Sequence, residues 1–348
     1  MGKAHTPMRL SVIVPAYNNP QALRECLAAL AASADSGAEI LVADDASTDD
    51  TPAVAAQMGV RVLRLAENSG PAAARNHGAR QPRGEILFFV DADVLVAPGA
   101  VARVANVFEG RPDVAAVFGS YDAFPRATGV VSQYRNLLHH FVHQTGNPEA
   151  STFWAGCGAI RRSVFDEMCG FDEKRFPRPS IEDIELGYRL RQAGHRILMD
   201  RGLQGTHLKR WTLRSVIRTD VLHRAVPWAR LILESKHVPD DLNLKRGQRL
   251  SAALVAFACV SLPSVAFRTE LAALAAAALG GVIALNRELY TFFCRARGLR
   301  FAAACIPLHL LYYLYSGLSY LYARLERQLG SVTVGWRGLV RGGRPPLG

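Results

Sequence analysis

No pair among the six cysteines falls at CxxC or any other metal-ligand spacing, so the chain encodes neither a disulfide scaffold nor a zinc module. Cys26, Cys157, Cys169, Cys259, Cys294 and Cys305 read instead as small apolar fillers in a reducing compartment. Acidic residues are scarce beside basic ones, 30 against 41, for a formal net charge of +11. The imbalance is local: residues 201–249 hold eleven Lys or Arg against four Asp or Glu. Such a balance fits nucleic acid or an anionic membrane, and the uncharged stretches that follow it favour lipid headgroups over nucleic acid. A secretory signal is also expected to be missing, because Leu10 to Val14 is too short an apolar core and no small-residue cleavage site follows.

What the chain does contain is alternation. The runs 10–14, 39–43, 60–64 and 85–90 are short and rich in β-branched or aromatic residues, as buried parallel strands require. Helical composition fills the gaps at 20–32, 48–58 and 71–80, with Ser47 or Thr48 expected to cap the second helix and Pro71 to open the third. Strand, helix, strand in repetition predicts a doubly wound α/β sheet, which binds ligands beyond the carboxyl ends of its strands. From about residue 120 the period breaks down. A basic segment with helical spacing follows at 213–235, then three apolar runs at 250–267, 271–285 and 301–325. The first is 18 residues without a charge, about 27 Å as a helix against a hydrocarbon core of about 30 Å. Tyr312, Tyr313, Tyr315, Tyr320 and Tyr322 stand where an interfacial aromatic belt is expected. Lys245-Arg246, Arg249 and the cluster 295–300 would flank a helical hairpin on its cytoplasmic side.

Polar chemistry collects at the predicted strand ends. Asp91-Ala92-Asp93 directly follows the fourth run, so two carboxylates two residues apart are expected on one side of a strand. Hard oxygen ligands of this kind suit Mg²⁺ or Mn²⁺ with positions left for diphosphate oxygens, and a solvated acidic turn is the plain alternative. Asp44-Asp45 follows the second run, where one carboxylate can cap a helix while the other accepts from a nucleobase or ribose. Asn68 to Asn76 reads as a nucleotide loop, with Gly70 permitting close backbone approach and Arg75 placed for an anion.

Taken in order, Val14-Pro15-Ala16-Tyr17-Asn18, Asp44-Asp45-Ala46-Ser47, Asn68 to Asn76 and Asp91-Ala92-Asp93 resemble glycosyltransferase family 2 over roughly residues 8 to 210. The resemblance implies a GT-A (Rossmann-like) fold, a nucleoside-diphosphate sugar donor and inversion at the anomeric carbon. By position, Pro15, Tyr17 and Asp45 would frame the base, often uracil, with Arg75 beside it, Asp91 near the ribose and Asp93 on the metal. Trp154-Ala155-Gly156-Cys157-Gly158 looks like the acceptor-side strand, in which Trp154 either faces the acceptor or packs in the core. Glu182-Asp183 matches the family's ED motif: Asp183 is expected to take the acceptor hydroxyl proton and Glu182 to orient the acceptor, a helix start being the plain alternative. His207 stands where the family often has a His that approaches metal or diphosphate, a structural role being the plain alternative. Lys209-Arg210-Trp211 resembles the end of a Q-x-x-R-W motif without its Gln, which favours single transfer over processive synthesis.

The expected layout is therefore a GT-A domain over 8–235, with a donor half at 8–120, an acceptor half at 121–212 and a basic interfacial helix at 213–235. Membrane helices over 250–325 and a basic tail at 326–348 follow it. The expected activity is metal-dependent transfer from a nucleotide-sugar donor to a lipid-linked or glycan acceptor at a bacterial inner membrane, on its cytoplasmic face. A sugar nucleotidyltransferase is disfavoured, since Pro15-Ala16-Tyr17-Asn18 replaces the Gly-rich, Arg- or Lys-bearing loop expected after the first strand. A non-catalytic membrane scaffold is disfavoured by intact Asp45, Asp91, Asp93 and Asp183.

Overall fold

A computed structural model describes residues 9–33, 38–235, 238–262 and 268–341, with side chains described as far as residue 329. The four apolar runs form β1 (Leu10–Ala16), β2 (Glu39–Asp44), β3 (Arg61–Arg64) and β4 (Ile86–Val90), separated by α1 (Pro20–Ser33), α2 (Thr51–Gln57) and α3 (Pro71–Ala79). These strands pair in parallel in the spatial order β3-β2-β1-β4. Chain order reverses at β1, and β1 and β4 are buried on both faces apart from Pro15, so the first crevice opens at their carboxyl ends. Leu23, Leu27 and Leu30 recur at helical spacing on α1 and bury against Val12, Val14, Phe88 and Val90.

The second helix starts later than expected. It begins at Thr51, whose N–H is held by Asp49 Oδ1 at 3.0 Å. Ser47 and Thr48 are drawn away by Asn18, which sits in the left-handed region at φ 48°. Ser47 Oγ accepts from the Asn18 N–H at 3.0 Å, and Asn18 Oδ1 accepts from the Thr48 N–H at 2.8 Å. The two residues thus tie the β1 and β2 ends together rather than capping α2.

Past β4 come β5 (Val94–Val96), α4 (Ala100–Gly110), β6 (Val114–Tyr121), α5 (Val130–Gln144), β7 (Cys157–Arg161), α6 (Arg162–Glu167), α7 (Glu182–Gln192) and β8 (Arg196–His207). The eight-stranded sheet runs β3-β2-β1-β4-β7-β6-β8-β5. Strand β7 is antiparallel to both β4 and β6, and β5 is antiparallel to β8. The sheet is therefore mixed, which is why strand–helix alternation stopped predicting the fold near residue 120. Helix α7 lies backbone to backbone on residues 152–153: a Cβ at Gly187 would stand 2.3 Å from the Phe153 nitrogen.

Beyond β8 the chain is helical: α8 (Leu213–Thr219), a π-helical turn (Asp220–Ala225), α9 (Val226–Ser235), α10 (Arg246–Ser261), α11 (Glu270–Leu285), α12 (Arg287–Arg297) and α13 (Leu299–Arg341). Two compact units result. One holds the chain through Leu213 with Pro239–Lys245 and Glu288–Cys305, the other Arg214–Val238, Arg246–Arg287 and the chain from Ile306. These bounds differ from the expected division at 235 and 250. In the first unit Phe293 is fully buried, its ring 6.0 Å from that of Tyr134 on α5, and Phe292 stacks on His140. Arg297, expected beside a membrane hairpin, donates to Gln133 Oε1 at 2.8 Å and to the Ala123 carbonyl at 3.0 Å.

In the second unit Val255, Val282 and Tyr313 form a small core, and Ala258, Ala275 and Ala278 let α10 and α11 approach closely. The expected tyrosine belt is divided. Tyr320 and Tyr322 are exposed, whereas Tyr313 and Tyr315 are buried because their hydroxyls have partners inside the unit. Tyr313 bonds Gln248 Oε1 and Asn286 Oδ1 at 2.7 and 2.8 Å, and Tyr315 donates to Asp220 Oδ2 at 2.6 Å. Among the described residues one helix, Leu299–Leu329, is long and apolar enough to cross a membrane; Glu270–Leu285 and Arg287–Arg297 reach that test only as a pair bent by 65°. The expected span at 250–267 is a shorter helix ending at Ser261, and 263–267 lie outside the described residues. The expected tail starts as a continuation of α13, and 342–348 also lie outside.

The close approach at Gly187 generates a test. Gly187→Ala is expected to lower stability by about 1–3 kcal/mol through overpacking, read as a lower denaturant midpoint with an unchanged slope.

Candidate active site

The carboxylates Asp91 and Asp93 stand at the end of β4, in a turn closed by the Val94 N–H on the Asp91 carbonyl at 2.9 Å. That turn replaces the strand alternation expected for them, and they face separate partners. Asp91 Oδ1 accepts from Arg75 at 2.7 Å. Asp93 Oδ2 lies 3.4 Å from His207 Nε2. Main-chain register explains the second contact. Val94 pairs with His207 across β5 and β8, and the Leu208 N–H donates to the Asp93 carbonyl at 2.9 Å. Burial alone would raise the Asp93 carboxyl, but the His207 hydrogen bond and charge, with Lys209 nearby, hold it below the ordinary value.

Arg75 occupies the centre. It projects from α3, is buried, and bonds Asp91 with one terminal nitrogen and Glu182 Oε1 with the other at 2.9 Å. Its guanidinium also lies over the Phe171 ring at 5.6 Å. Burial would lower its pKa, yet the carboxylates of Asp91, Glu182 and Asp183 together hold it above the ordinary value. Its Nε has no hydrogen-bond partner among the described residues. Glu182 is held by its second oxygen to the Ser180 N–H at 2.9 Å. Residues expected on opposite sides of the site, Asp91 for the donor and Glu182 for the acceptor, are thus joined through one side chain.

Asp183 follows at the start of α7. Its oxygens accept from the Ala155 N–H at 3.1 Å and the Ile184 N–H at 2.8 Å. Burial, with the Glu182 charge beside it, pushes its carboxyl up to about 7 against the opposing pull of Arg75. The same strand approach that holds Asp183 also holds Asp91, whose N–H donates to the Gly156 carbonyl at 3.1 Å. Trp154 opens that segment and is half-buried, its ring edge-on to Tyr121 at 4.9 Å and near His139 at 4.8 Å.

On the donor side Tyr17 is exposed and Pro15 half-buried at the end of β1. Asp45 is buried and engaged: its oxygens take the Ser69 and Gly70 N–H groups at 2.8 Å each and Asn68 Nδ2 at 3.0 Å. Burial raises its carboxyl despite those donors. Gly70 has φ 89°, and a Cβ there would stand 2.5 Å from the Pro177 carbonyl oxygen, so only glycine fits this turn.

Sequence reading missed the surroundings of His207. Asn136 Oδ1 lies 2.8 Å from His207 Nδ1, and Tyr121 stacks on the imidazole at 4.3 Å and 6°. Both come from the stretch where periodicity failed, and neither belongs to a motif. His139 and His143 on α5 are driven by burial below the ordinary imidazole value, His143 to about 4. The cysteine reading holds for Cys26, Cys157 and Cys305, which are buried, whereas Cys169 and Cys259 are exposed.

Among the described residues no group of three or more His, Cys, Asp or Glu is placed to hold a metal. Asp93 and His207 nonetheless fit a small cation, since Mg²⁺ needs only one or two protein ligands and fills its remaining positions with water and phosphate oxygens.

The strand-end carboxylates and the reversal of strand order at β1 describe a nucleotide-binding α/β domain, and comparison with known proteins identifies its class. The profile described as glycosyl transferase family 2 matches residues 11–169. Validoxylamine A glucosyltransferase of Streptomyces hygroscopicus subsp. limoneus is 31% identical over 244 residues, 59% of this chain and 53% of that protein. Pre-mycofactocin glycosyltransferase of Mycobacterium tuberculosis is 29% identical over 199 residues, 54% of this chain and 40% of that protein. A mannosyltransferase from Pyrobaculum calidifontis, solved with GDP-mannose and Mn²⁺, superimposes with a TM-score of 0.55 at 18% identity, over 91% of this chain and 88% of that one. At that identity the likeness is one of fold, and the fold is GT-A. Over residues 11–169 the chain matches glycosyltransferase family 2, a family of transferase enzymes, and these curated relatives are glycosyltransferases. It spans about half or less of the length of these curated relatives.

The buried Arg75 bridge makes a stability prediction. Arg75→Met leaves Glu182 buried without a counter-charge and is expected to cost about 3–5 kcal/mol. Arg75→Met combined with Glu182→Met should recover part of that loss in thermal or denaturant unfolding, because the most deeply buried of its carboxylate partners is then removed and Asp91, 32% exposed, keeps contact with water.

Proposed function

We propose that this chain transfers a sugar from a nucleoside-diphosphate sugar, UDP-linked, to a lipid-linked or membrane-proximal acceptor, inverting the anomeric carbon and making one transfer per acceptor. The observation that carries this reading is the 154–156 segment, which holds Asp183 by the Ala155 N–H and Asp91 by the Gly156 carbonyl. It keeps a base with a pKa of about 7 beside the carboxylates of the donor crevice.

Pro15, Tyr17 and Asp45 frame the base: Tyr17 offers its exposed ring, and Asp45 shapes the rim by fixing the 68–70 loop. Asp91 approaches the ribose, with Arg75 behind it. Asp93 and His207 would hold Mg²⁺ or Mn²⁺, which would supply positive charge at the departing diphosphate. Asp183 accepts the acceptor hydroxyl proton as that oxygen bonds to the anomeric carbon and the bond to the diphosphate breaks. Glu182 orients the acceptor and Trp154 offers it an apolar face. A carboxyl raised to about 7 is matched to this task, since a base near the working pH combines an ionised form with real basicity.

The location of the acceptor is supported by α13, whose Leu318, Leu321, Tyr322 and Leu325 are exposed on a helix long enough to span a bilayer. The excess of Lys and Arg beside the apolar helices supports a catalytic domain facing the cytoplasm at a bacterial inner membrane.

Detergent-solubilised protein given a panel of nucleotide sugars with Mg²⁺ or Mn²⁺ should release UDP from one of them. Asp93→Ala should abolish this release. Asp183→Asn should lower transfer by roughly 10²–10⁴-fold while leaving Mn²⁺-dependent UDP binding in place. Pyrophosphate release from a nucleoside triphosphate and a sugar phosphate would indicate nucleotidyl transfer instead, and absence of any turnover would leave a scaffold. The base must be ionised to work, so kcat/KM should rise with pH through about 7 and fall on the acid side. Exposed Cys169 supplies a test of orientation: with Cys259, the other exposed cysteine, replaced by Ser, it should react with an impermeant maleimide in inverted vesicles and not in intact cells.

A further inference from the structure

The imidazole of His207 is gripped on three sides. Asn136, in the interior of α5, is 1% exposed and its side-chain orientation is unambiguous. Its Nδ2 donates to the Ser132 carbonyl at 2.9 Å, and a carbonyl can only accept. The amide oxygen is therefore the atom 2.8 Å from His207 Nδ1, and an amide oxygen likewise can only accept. Nδ1 must carry a hydrogen. Tyr121 stacks flat on the ring, so the imidazole is not free to turn over. Ser132 also bonds both the N–H and the carbonyl of Trp211, at 2.7 and 3.1 Å, which fastens the chain just beyond His207 to the same helix.

Nε2 faces Asp93 Oδ2 at 3.4 Å; with Nδ1 protonated, the charged ring donates there and the neutral ring presents its lone pair there. A lone pair facing a carboxylate is repulsive unless a proton or a cation lies between them. We propose that Asn136 is a positioning residue that fixes the Nδ1–H tautomer of His207, so that Nε2 is presented to a divalent cation shared with Asp93. The inference rests on the metal reading of Asp93 and His207 and adds a residue outside every motif of the chain. Its physical basis is general. A ligating imidazole is oriented and made more basic by the acceptor on its other nitrogen, and loss of such an acceptor typically costs 10–100-fold in metal affinity. Without Asn136 the proton is free to move to Nε2, where it donates to Asp93 and closes the cation site.

Mn²⁺ affinity of the full chain in detergent, measured by electron paramagnetic resonance without donor, tests this directly. His207→Ala and Asp93→Ala should each weaken Mn²⁺ binding; if neither does, the metal reading itself falls. Given that loss, Asn136→Leu, which fills a similar volume without an acceptor, should weaken binding by about 10–100-fold. Asn136→Asp keeps the acceptor and should restore wild-type affinity or better. Leu and Asp variants binding Mn²⁺ alike would overturn the role of Asn136 while leaving the metal site standing. Nitrogen-15 spectra of the metal-free wild type, with histidine labelled, give a readout independent of folding in any variant. The His207 signal, assigned by its absence in His207→Ala and followed to a pH at which the ring is neutral, should show the Nδ1–H tautomer, and the Nε2–H form would overturn the inference.

Discussion

Arg75 is a fixed positive charge buried among carboxylates, and most of the site is arranged around that constraint. A guanidinium removed from water is tolerated only where its charge is matched and its donors are used. Asp91 and Glu182 provide the match, one from the end of a parallel strand and the other from the first turn of α7. Because these elements are far apart in sequence, the pair acts as a clamp between the regular first half of the domain and its irregular second half. Glu182 cannot move without stranding Arg75, and Asp183 is its neighbour. The neutralisation is incomplete at Asp183, where burial and the Glu182 charge outweigh Arg75 and leave the carboxyl readily protonated.

A second constraint is main-chain register. Strand β5 has three residues, yet its antiparallel pairing with β8 brings Asp93 and His207 together across more than a hundred residues of chain. The loop of Asp45 obeys the same logic on the donor side. A buried carboxylate collects two backbone N–H groups and a side-chain amide, and so fixes a turn that no regular element shapes.

Where chain order and spatial order agree, the sequence was readable. Strands β1, β2 and β4 announce themselves by apolar runs, and their polar ends mark the crevice, so Tyr17, Asp45 and Asp91 were placed beside it before any coordinates. Strand alternation predicted Asp91 and Asp93 on one side, whereas a turn sends one to Arg75 and the other to His207. Asn136 and Tyr121 were invisible for a different reason. Asn136 is a single amide inside α5 and Tyr121 a single ring at the end of β6, and each meets His207 only through long-range packing that neither periodicity nor a local pattern records. Two tyrosines of α13 depart from the expected belt: Tyr313 and Tyr315 answer buried polar groups elsewhere in their own unit, whereas Tyr320 and Tyr322 are exposed.

The threading of the two units carries a practical and evolutionary consequence. The chain leaves the first unit after Leu213, returns for Pro239–Lys245, leaves again and returns for Glu288–Cys305. The late return brings Phe293 and Arg297 to α5, whose face would otherwise lose an aromatic side chain and a guanidinium. No single cut therefore releases an intact catalytic half. A gene shortened after the family-matched region would encode a domain with an open wound along α5.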